Sequence, residues 1–265
     1  MSAPVIPNPI FLGSALDLDA ARWIATVGQS NVSGPRGLLV SDTIRELKAA
    51  GVWVDLDFLP VLCAENEAQA LVDWKARKTM TLINTPTFTA DRGYAFSSSG
   101  INTQFIPSTD CVSGTGTNFM MGVYERTDLS IINRAMGALV ASGPSAILTP
   151  RNAANAVAGL NASGLNVVTG LSDSRGLTVA QKVGADGAGF KNGVAGASVT
   201  WTTPYSTLVN IALFLGGYNV TGTLTSARAS TLGYALFGGG SWTATQHAQF
   251  YAVMQRYMTR LGANV

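Results

Sequence analysis

With 265 residues, 47% of them apolar, the chain can bury a sizeable core as one large domain or two small ones. Only 12% are charged, about half the roughly 25% of an ordinary globular protein; 29 Gly and many Ser, Thr and Asn carry the polarity, which suits a turn-rich β protein of an assembly or the cell exterior better than a crowded cytosolic enzyme. Lys and Arg are not clustered and no aromatic-plus-basic tract appears, which argues against a nucleic-acid binder; the net charge of +2 hides an imbalance, nine Lys and Arg against thirteen Asp and Glu in residues 1–128, then eight against two in residues 129–265. Opposite poles favour head-to-tail packing, or a basic face turned to an anionic glycan or lipopolysaccharide, unless the imbalance is spread over a large surface.

Residues 1–37 read as an N-terminal arm. Pro4, Pro7 and Pro9 disfavour helix at its start. "SNVSGPRG" (30–37) is a loop cluster, and between the two "ALDLDAARWIATVG" predicts a short helix with Asp17 or Asp19 near its N-terminus. Residues 38–78 form a helical and mixed prelude. "SDTIRELKAAG" (41–51) carries helix punctuation, Ser41 or Asp42 as cap and Gly51 as stop. "VWVDLDFLPVL" (52–62) starts by alternating, with Val52, Val54 and Leu56 on one face and Trp53, Asp55 and Asp57 on the other, and predicts a strand or a tightly docked segment. "ENEAQALVDWKA" (65–76) returns to helical spacing, with Ala68, Leu71 and Val72 on one side.

From residue 79 to the end the texture is β. "TMTLINTPTFTA", "YAFSSSGINTQF", "NFMMGVYERT", "SAILTPR", "LNVVTGL", "GLTVAQKV", "GAGFKNGVAG", "ASVTWTT" and "NIALFLGGY" are short runs broken by Gly, Pro, Asn and Ser. Such spacing points to an antiparallel sandwich or jelly roll, and the absence of alternating long helices argues against a parallel α/β sheet. Asn192-Gly193 supplies the positive φ angles of a type I′ hairpin turn. "SWTATQHAQFYAVMQRYMTRLG" (241–262) is an amphipathic helix with a Ser241 or Thr243 cap and an apolar stripe of Phe250, Tyr251, Met254, Tyr257, Met258 and Leu261.

The blocks "DSRGLTVAQKVGADGAGFKNGVAGAS", "NIALFLGGYN" and "STLGYALFGGGSWTATQHAQFYAVMQRYM", in that order, resemble the concanavalin A-like, laminin-G-like jelly rolls. "LKAAGVWVDLDFLPVLCAENEAQALVDWK" and "NTPTFTADRGYAFSSSGINTQFIPS" narrow the likeness to lectin-like proteins encoded by tailed bacteriophages and prophages. The resemblance covers residues 38–262. It implies a jelly-roll β-sandwich over residues 79–265 and a virion component: a tail-fibre, receptor-binding, baseplate or head-decoration protein. Its partners are then other virion proteins and copies of itself, with host surface polysaccharide or lipopolysaccharide as a further contact and residues 1–37 as the attachment arm. The alternatives are a free carbohydrate-binding module and, less well supported, a glycan hydrolase.

Chemistry-bearing residues are sparse. The chain has four Glu and none lies in the Glu-x-Asp-x-x-Glu strand pattern of a concanavalin-like glycosidase; Asp55 and Asp57 read as solvated surface. The single histidine, His247, reads as a partly exposed helix residue, and it excludes a multi-histidine metal site. "GADGAG" (184–189) precedes no helix and so makes no phosphate cradle, while Asp173 and Asp186 make a weak Ca²⁺ pair that tight turns explain as well. No catalytic residue, metal or cofactor is expected. For sugar binding, which wants an aromatic platform beside amide groups, the candidates are Trp201, Tyr205 and Tyr218, with Asn192, Asn210 and Asn219 near them in sequence; the alternative puts Trp201 and Tyr218 in the core or a subunit interface. Trp242 reads as a staple on the terminal helix. Cys63 and Cys111 fit either a disulfide or one buried and one loop thiol. "MSAPVIPNPIFLG" lacks the features of a secretion signal, and no apolar run approaches 18 residues, so neither N-terminal export nor membrane insertion is expected.

Overall fold

The computed structural model describes residues 15–161, 165–200 and 205–265. In chain order the helices are α1 (Leu18–Val27), α2 (Gly34–Ala49), α3 (Glu67–Ala70), α4 (Pro107–Asp110) and α5 (Ala244–Arg260). The strands are β1 (Leu56–Phe58), β2 (Thr81–Ile83), β3 (Thr87–Thr89), β4 (Gly93–Ala95), β5 (Gly100–Asn102), β6 (Asn118–Glu125), β7 (Met136–Leu139), β8 (Ser145–Asn152) and β9 (Asn155–Leu160). They continue with β10 (Leu165–Val168), β11 (Gly176–Val183), β12 (Asp186–Lys191), β13 (Val194–Thr200), β14 (Phe214–Leu215), β15 (Tyr218–Val220), β16 (Thr223–Thr225) and β17 (Thr231–Gly238).

These strands build the expected antiparallel sandwich. The first sheet runs β13-β12-β11-β6-β17-β4-β3 with β1 on β17; the second runs β10-β9-β8-β7-β14-β5-β2, and the β15–β16 hairpin joins it with β15 parallel to β7. Large side chains on one sheet meet small ones on the other: Phe119, Met121, Val123 and Phe237 share the inter-sheet core with Ala138, Ala146, Ala156 and Ala158. Close packing of two sheets about 10 Å apart demands this pairing of large with small.

The first sheet is buried on both faces, which is why β6 reads as a continuous apolar run. Its Phe119, Met121 and Val123 face the second sheet, while Met120 and Tyr124 face a second core formed with α1, α2 and α5. Aromatic contacts knit that helical layer: Trp23 meets Trp74 edge-on at 6.0 Å, Trp74 meets Tyr257 at 5.2 Å, and Trp242 packs on Phe250 at 5.2 Å. Trp242 is therefore the staple expected. On α5 the Thr243 side chain accepts from the Gln246 N–H and Gln246 Oε1 accepts from the Thr243 N–H, a capping box. Of residues 1–37, the described part packs on this layer through Ala20, Trp23, Ile24 and Val27, and Trp23 Nε1 donates to Val72 O at 3.0 Å; residues 1–14 lie outside the described residues.

Local departures from expectation have physical causes. α2 starts at Gly34, inside the segment read as a loop: Ser33 caps it, and Pro35 stands in the first turn, where its missing N–H has no helical partner to lose. The alternation at 52–56 fails, because Val54 is 71% exposed between buried Val52 and Leu56; a turn from Trp53 O to Leu56 N precedes β1. Of "ENEAQALVDWKA" only α3 is helical, and Ala68 is exposed. The carboxylate of buried Asp73 accepts the N–H groups of Leu59, Ala76 and Arg77, which folds the chain back instead of continuing the helix.

Candidate functional site

The loops at one end of the sandwich are built around an internal ion pair. β6 ends on Glu125 and β17 is preceded by Arg228, both fully buried, with Arg228 Nε 2.5 Å from Glu125 Oε1 and Nη2 3.0 Å from Oε2. The remaining guanidinium hydrogens donate to the carbonyls of Leu129 (2.8 Å), Ile131 (2.9 Å) and Asn133 (3.3 Å). Loop 126–135, between β6 and β7, is thus held from inside, with every group of the pair engaged, as a buried charge requires. Further bonds complete it: Thr149 Oγ1 donates to Ile132 O, Ser174 Oγ donates to Thr127 O, and Asn133 Nδ2 donates to Ala227 O. A loop fixed at so many carbonyls is preorganised, and its exposed residues, Asp128, Ser130 and the 50%-exposed Ile132, are presented rigidly.

Charges surround this loop. Arg151 pairs with Asp128 at 2.8 Å and Arg175 with Asp173 at 2.6 Å. The Arg175 guanidinium holds the Asp173 carboxyl down at about 2, so it stays ionised at neutral pH. Lys191 turns back along the hairpin and donates to Ser174 O (2.7 Å) and Thr178 Oγ1 (3.2 Å); burial pushes its ammonium down to about 8. The basic second half of the chain therefore does not form one basic face: Arg228 is internal, Arg256 pairs with Glu46, and Lys182 Nζ is buried on Leu160 O. Arg134 differs. Its Nη1 donates to Ile132 O (3.1 Å) and Thr149 Oγ1 (2.7 Å), and among the described residues Nε and Nη2 have no partner and no carboxylate pairs with it. Burial lowers the pKa of its guanidinium, and the nearby Tyr218 phenol acts against that shift.

The sugar-binding candidates that the structure describes are divided between different parts of the sandwich. Trp201 lies outside the described residues. Tyr218 is half-buried on β15, and its cross-strand partner Thr225 is followed by Ser226, whose carbonyl accepts the Arg134 N–H at 3.2 Å. Tyr205, also half-buried, precedes a stretch that meets the opposite end of the strands, where Asn161 Nδ2 donates to Gly116 O and Thr207 O. Asn219 is buried: its amide donates to Ala212 O and accepts from Gly222 N, shaping the β15–β16 turn. Asn192 Oδ1 accepts from Leu177 N (2.8 Å), and Gly193 (φ +79°) lies so close to α5 that a Cβ there would stand 2.8 Å from Ala248 Cα. The hairpin is fixed scaffold at the loop-bearing end, and Asn210 is exposed on another loop. Sequence reasoning missed Arg228, Glu125 and Arg134. The one available signal was a lone Glu closing the apolar run "NFMMGVYE", since a charge there demands a buried partner.

Elsewhere the ionisable groups are structural. His247, expected to be partly exposed, is 1% exposed and stacks on Phe190 at 3.5 Å. Gln181 Nε2 donates to Trp242 O, so its Oε1 accepts from His247 Nε2 at 2.7 Å, and burial pushes the imidazole down to about 3. Asp57, expected in solvent, is buried and accepts from Cys111 Sγ (2.9 Å), Ser113 N (3.1 Å) and Ser113 Oγ (2.5 Å). Cys63 and Cys111 are free thiols, one buried and one half-buried. Burial, joined by the Asp57 carboxylate, raises the Cys111 thiol, which suppresses the nucleophilic thiolate. Among the described residues no three His, Cys, Asp or Glu converge as a metal site, and no helix is long and apolar enough to cross a membrane.

No protein-family model and no curated protein sequence matches the chain. Solved structures do. Domain 4 of AbnA, a GH43 extracellular arabinanase from Geobacillus stearothermophilus in complex with arabinotriose, superposes with a TM-score of 0.52 at 12% identity, over 74% of this chain and 98% of that one. Trypanosoma rangeli sialidase gives 0.52 at 10% identity over 84% of this chain, which spans 40% of the sialidase. The binding domain of botulinum neurotoxin serotype D gives 0.52 at 9% identity over 77% of this chain and 52% of its own. At these identities the likeness establishes a shared β-sandwich fold.

Proposed function

We propose that the chain is a non-catalytic, lectin-like component of a bacteriophage particle, of the tail-fibre, receptor-binding, baseplate or head-decoration kind, and that it meets host surface glycan with the loop-bearing end of its sandwich. The observation that carries the glycan reading is loop 126–135, locked from within by Arg228 and bordered by Arg134 and the half-buried Tyr218 ring. Rigid loops on a β scaffold with an aromatic and a polar fork are how a shallow surface holds a sugar without ordering costs. The arabinotriose bound to the arabinanase domain supports the same reading from a related architecture. The phage setting is supported by the ordered sequence blocks and the low charge, and the non-catalytic reading by the engagement of Asp128, Asp173, Asp57 and Glu125 in ion pairs and hydrogen bonds. The particle-bound component is the primary reading; a free carbohydrate-binding module is the second, favoured by the near-complete span of the arabinanase domain.

Mass spectrometry of purified particles separates the two, since a structural component is recovered intact in washed particles and a free module is not. A glycan array with the isolated chain tests contact: binding is expected to fall at least tenfold in Tyr218→Ala. An array on which the wild-type chain binds no sugar overturns the glycan reading.

A further inference from the structure

The unpaired guanidinium of Arg134 says more about the ligand than the fold does. Around this end of the sandwich Arg151, Arg175 and Arg228 each have a carboxylate, Lys191 has two oxygen acceptors, and Arg126 places Nε and Nη1 on the carbonyls of Ala263 and Arg92. Arg134 alone among these is half-buried with the Nε and Nη2 donors open, while Nη1 is anchored on Thr149 Oγ1 and Ile132 O. Partial desolvation of a cation without a counter-ion is unfavourable, and an arriving oxyanion removes that penalty. A planar fork with one edge anchored and the other free matches a carboxylate or phosphate by two parallel hydrogen bonds. Tyr218 is linked to it through the strand pair, since its partner Thr225 precedes Ser226, whose carbonyl accepts the Arg134 N–H, and its hydroxyl has no hydrogen-bond partner among the described residues.

Resting on the glycan reading above, we infer that this face takes an acid-bearing sugar, with Arg134 receiving the sugar's oxyanion and Tyr218 lying against its ring. Both groups act as binding residues in a non-covalent contact.

The test is affinity electrophoresis and calorimetry of the full chain with three probes: oligogalacturonate for the carboxylate, mannose 6-phosphate for the phosphate, and a neutral galactan oligomer. Wild type is expected to bind at least one acidic probe tenfold or more tighter than the neutral one. The two acidic arms distinguish uronate from phosphate. Arg134→Lys keeps the charge but not the fork, so it is expected to lose at least tenfold for the preferred acidic probe and clearly less for the neutral one. Arg134→Ala is expected to lose more, and circular dichroism with urea unfolding verifies that both variants fold. Arg175→Ala, at an exposed ion pair, is expected to bind as wild type does. Equal affinity for acidic and neutral probes, or a loss in Arg175→Ala as large as in Arg134→Lys, overturns the inference and leaves the glycan reading standing. Failure of all three probes and of the array overturns both.

Discussion

The two outer regions of this molecule solve one problem in opposite ways. Over the first sheet, α1, α2 and α5 hold irregular connections in place by apolar area, with Trp23, Trp74, Tyr257 and Phe250 meeting in a single core. At the loop-bearing end no such area is available, and one buried guanidinium fixes loop 126–135 through its carbonyls. The difference teaches where function can reside. A surface sealed by apolar packing has no open polar group to offer, whereas a loop held by polar groups from beneath leaves its outer face free to bind.

The contrast breaks most directly at Arg228. Arg228→Ala leaves Glu125 buried without a partner and removes the donor from four carbonyls, and about 5 kcal/mol of stability is expected to go, the upper end for a broken buried pair. Urea unfolding followed by tryptophan fluorescence measures it. The double variant Glu125→Leu/Arg228→Met removes both charges and is expected to recover most of that loss while sugar binding stays abolished, because the loop is no longer fixed. Recovery of binding with stability would show that the pair is dispensable to the site. On the other side, Phe250→Ala opens a cavity among Trp242, Tyr234 and α5 and is expected to cost about 4 kcal/mol. Sugar binding by the fraction that remains folded should be unchanged, since that core does not reach the loop.

The same contrast explains what was legible in the sequence. Elements with a local signature were: α5 with its cap on the apolar side, the NG hairpin at the loop-bearing end, and the long strands β6, β8 and β11 carry apolar runs, periodicity or turn chemistry that one segment can display. The strands β7 and β9 were not, because their Ala138, Ala156 and Ala158 share the inter-sheet core with Phe119 and Phe237, so the reason for those small residues lies on the other sheet. His247 defeated the reading for a similar cause. A helix of its composition suggests a solvated imidazole, whereas Phe190 from the hairpin, Trp242 and Gln181 enclose it. Loop 126–135 was least legible, since Glu125 and Arg228 are 103 positions apart and the charge that closes β6 does not name its partner.

Protonation gives a finer test on the apolar side. In the unfolded chain His247 takes a proton near pH 6.5, whereas the folded chain resists it until about 3. The stability this contributes is full above pH 6.5 and is lost as pH falls from there towards 3. Asp73 runs the other way: burial raises its carboxyl from 3.8 to about 6, so the folded state keeps the proton longer, and stability is lost as pH rises from 3.8 to 6. Across pH 4–6 the two slopes oppose each other. His247→Phe keeps a ring stacked on Phe190 but leaves Gln181 Oε1 without a donor, at a cost of about 1–2 kcal/mol at pH 8. With the imidazole gone, the Asp73 slope stands alone. Urea midpoints for the variant are expected to decline from pH 4 to pH 6 while those of the wild type change little. A variant that keeps the wild-type profile would remove His247 from the account of this side.

The smallest expected effect is at the start of α5. Thr243→Ala removes the oxygen that accepts from the Gln246 N–H and half of the capping box, worth about 1 kcal/mol. Because α5 packs along its whole apolar stripe, the cap governs how the first turn frays more than whether the helix forms. Hydrogen exchange at His247 and Ala248 should therefore accelerate more than at Met254 or Met258. The first turn also covers Gly193, so loosening it exposes the tip of the hairpin without disturbing Arg228. Sugar binding is accordingly expected to survive Thr243→Ala intact, and a loss there would place the α5–hairpin contact, rather than loop 126–135, in control of the binding face.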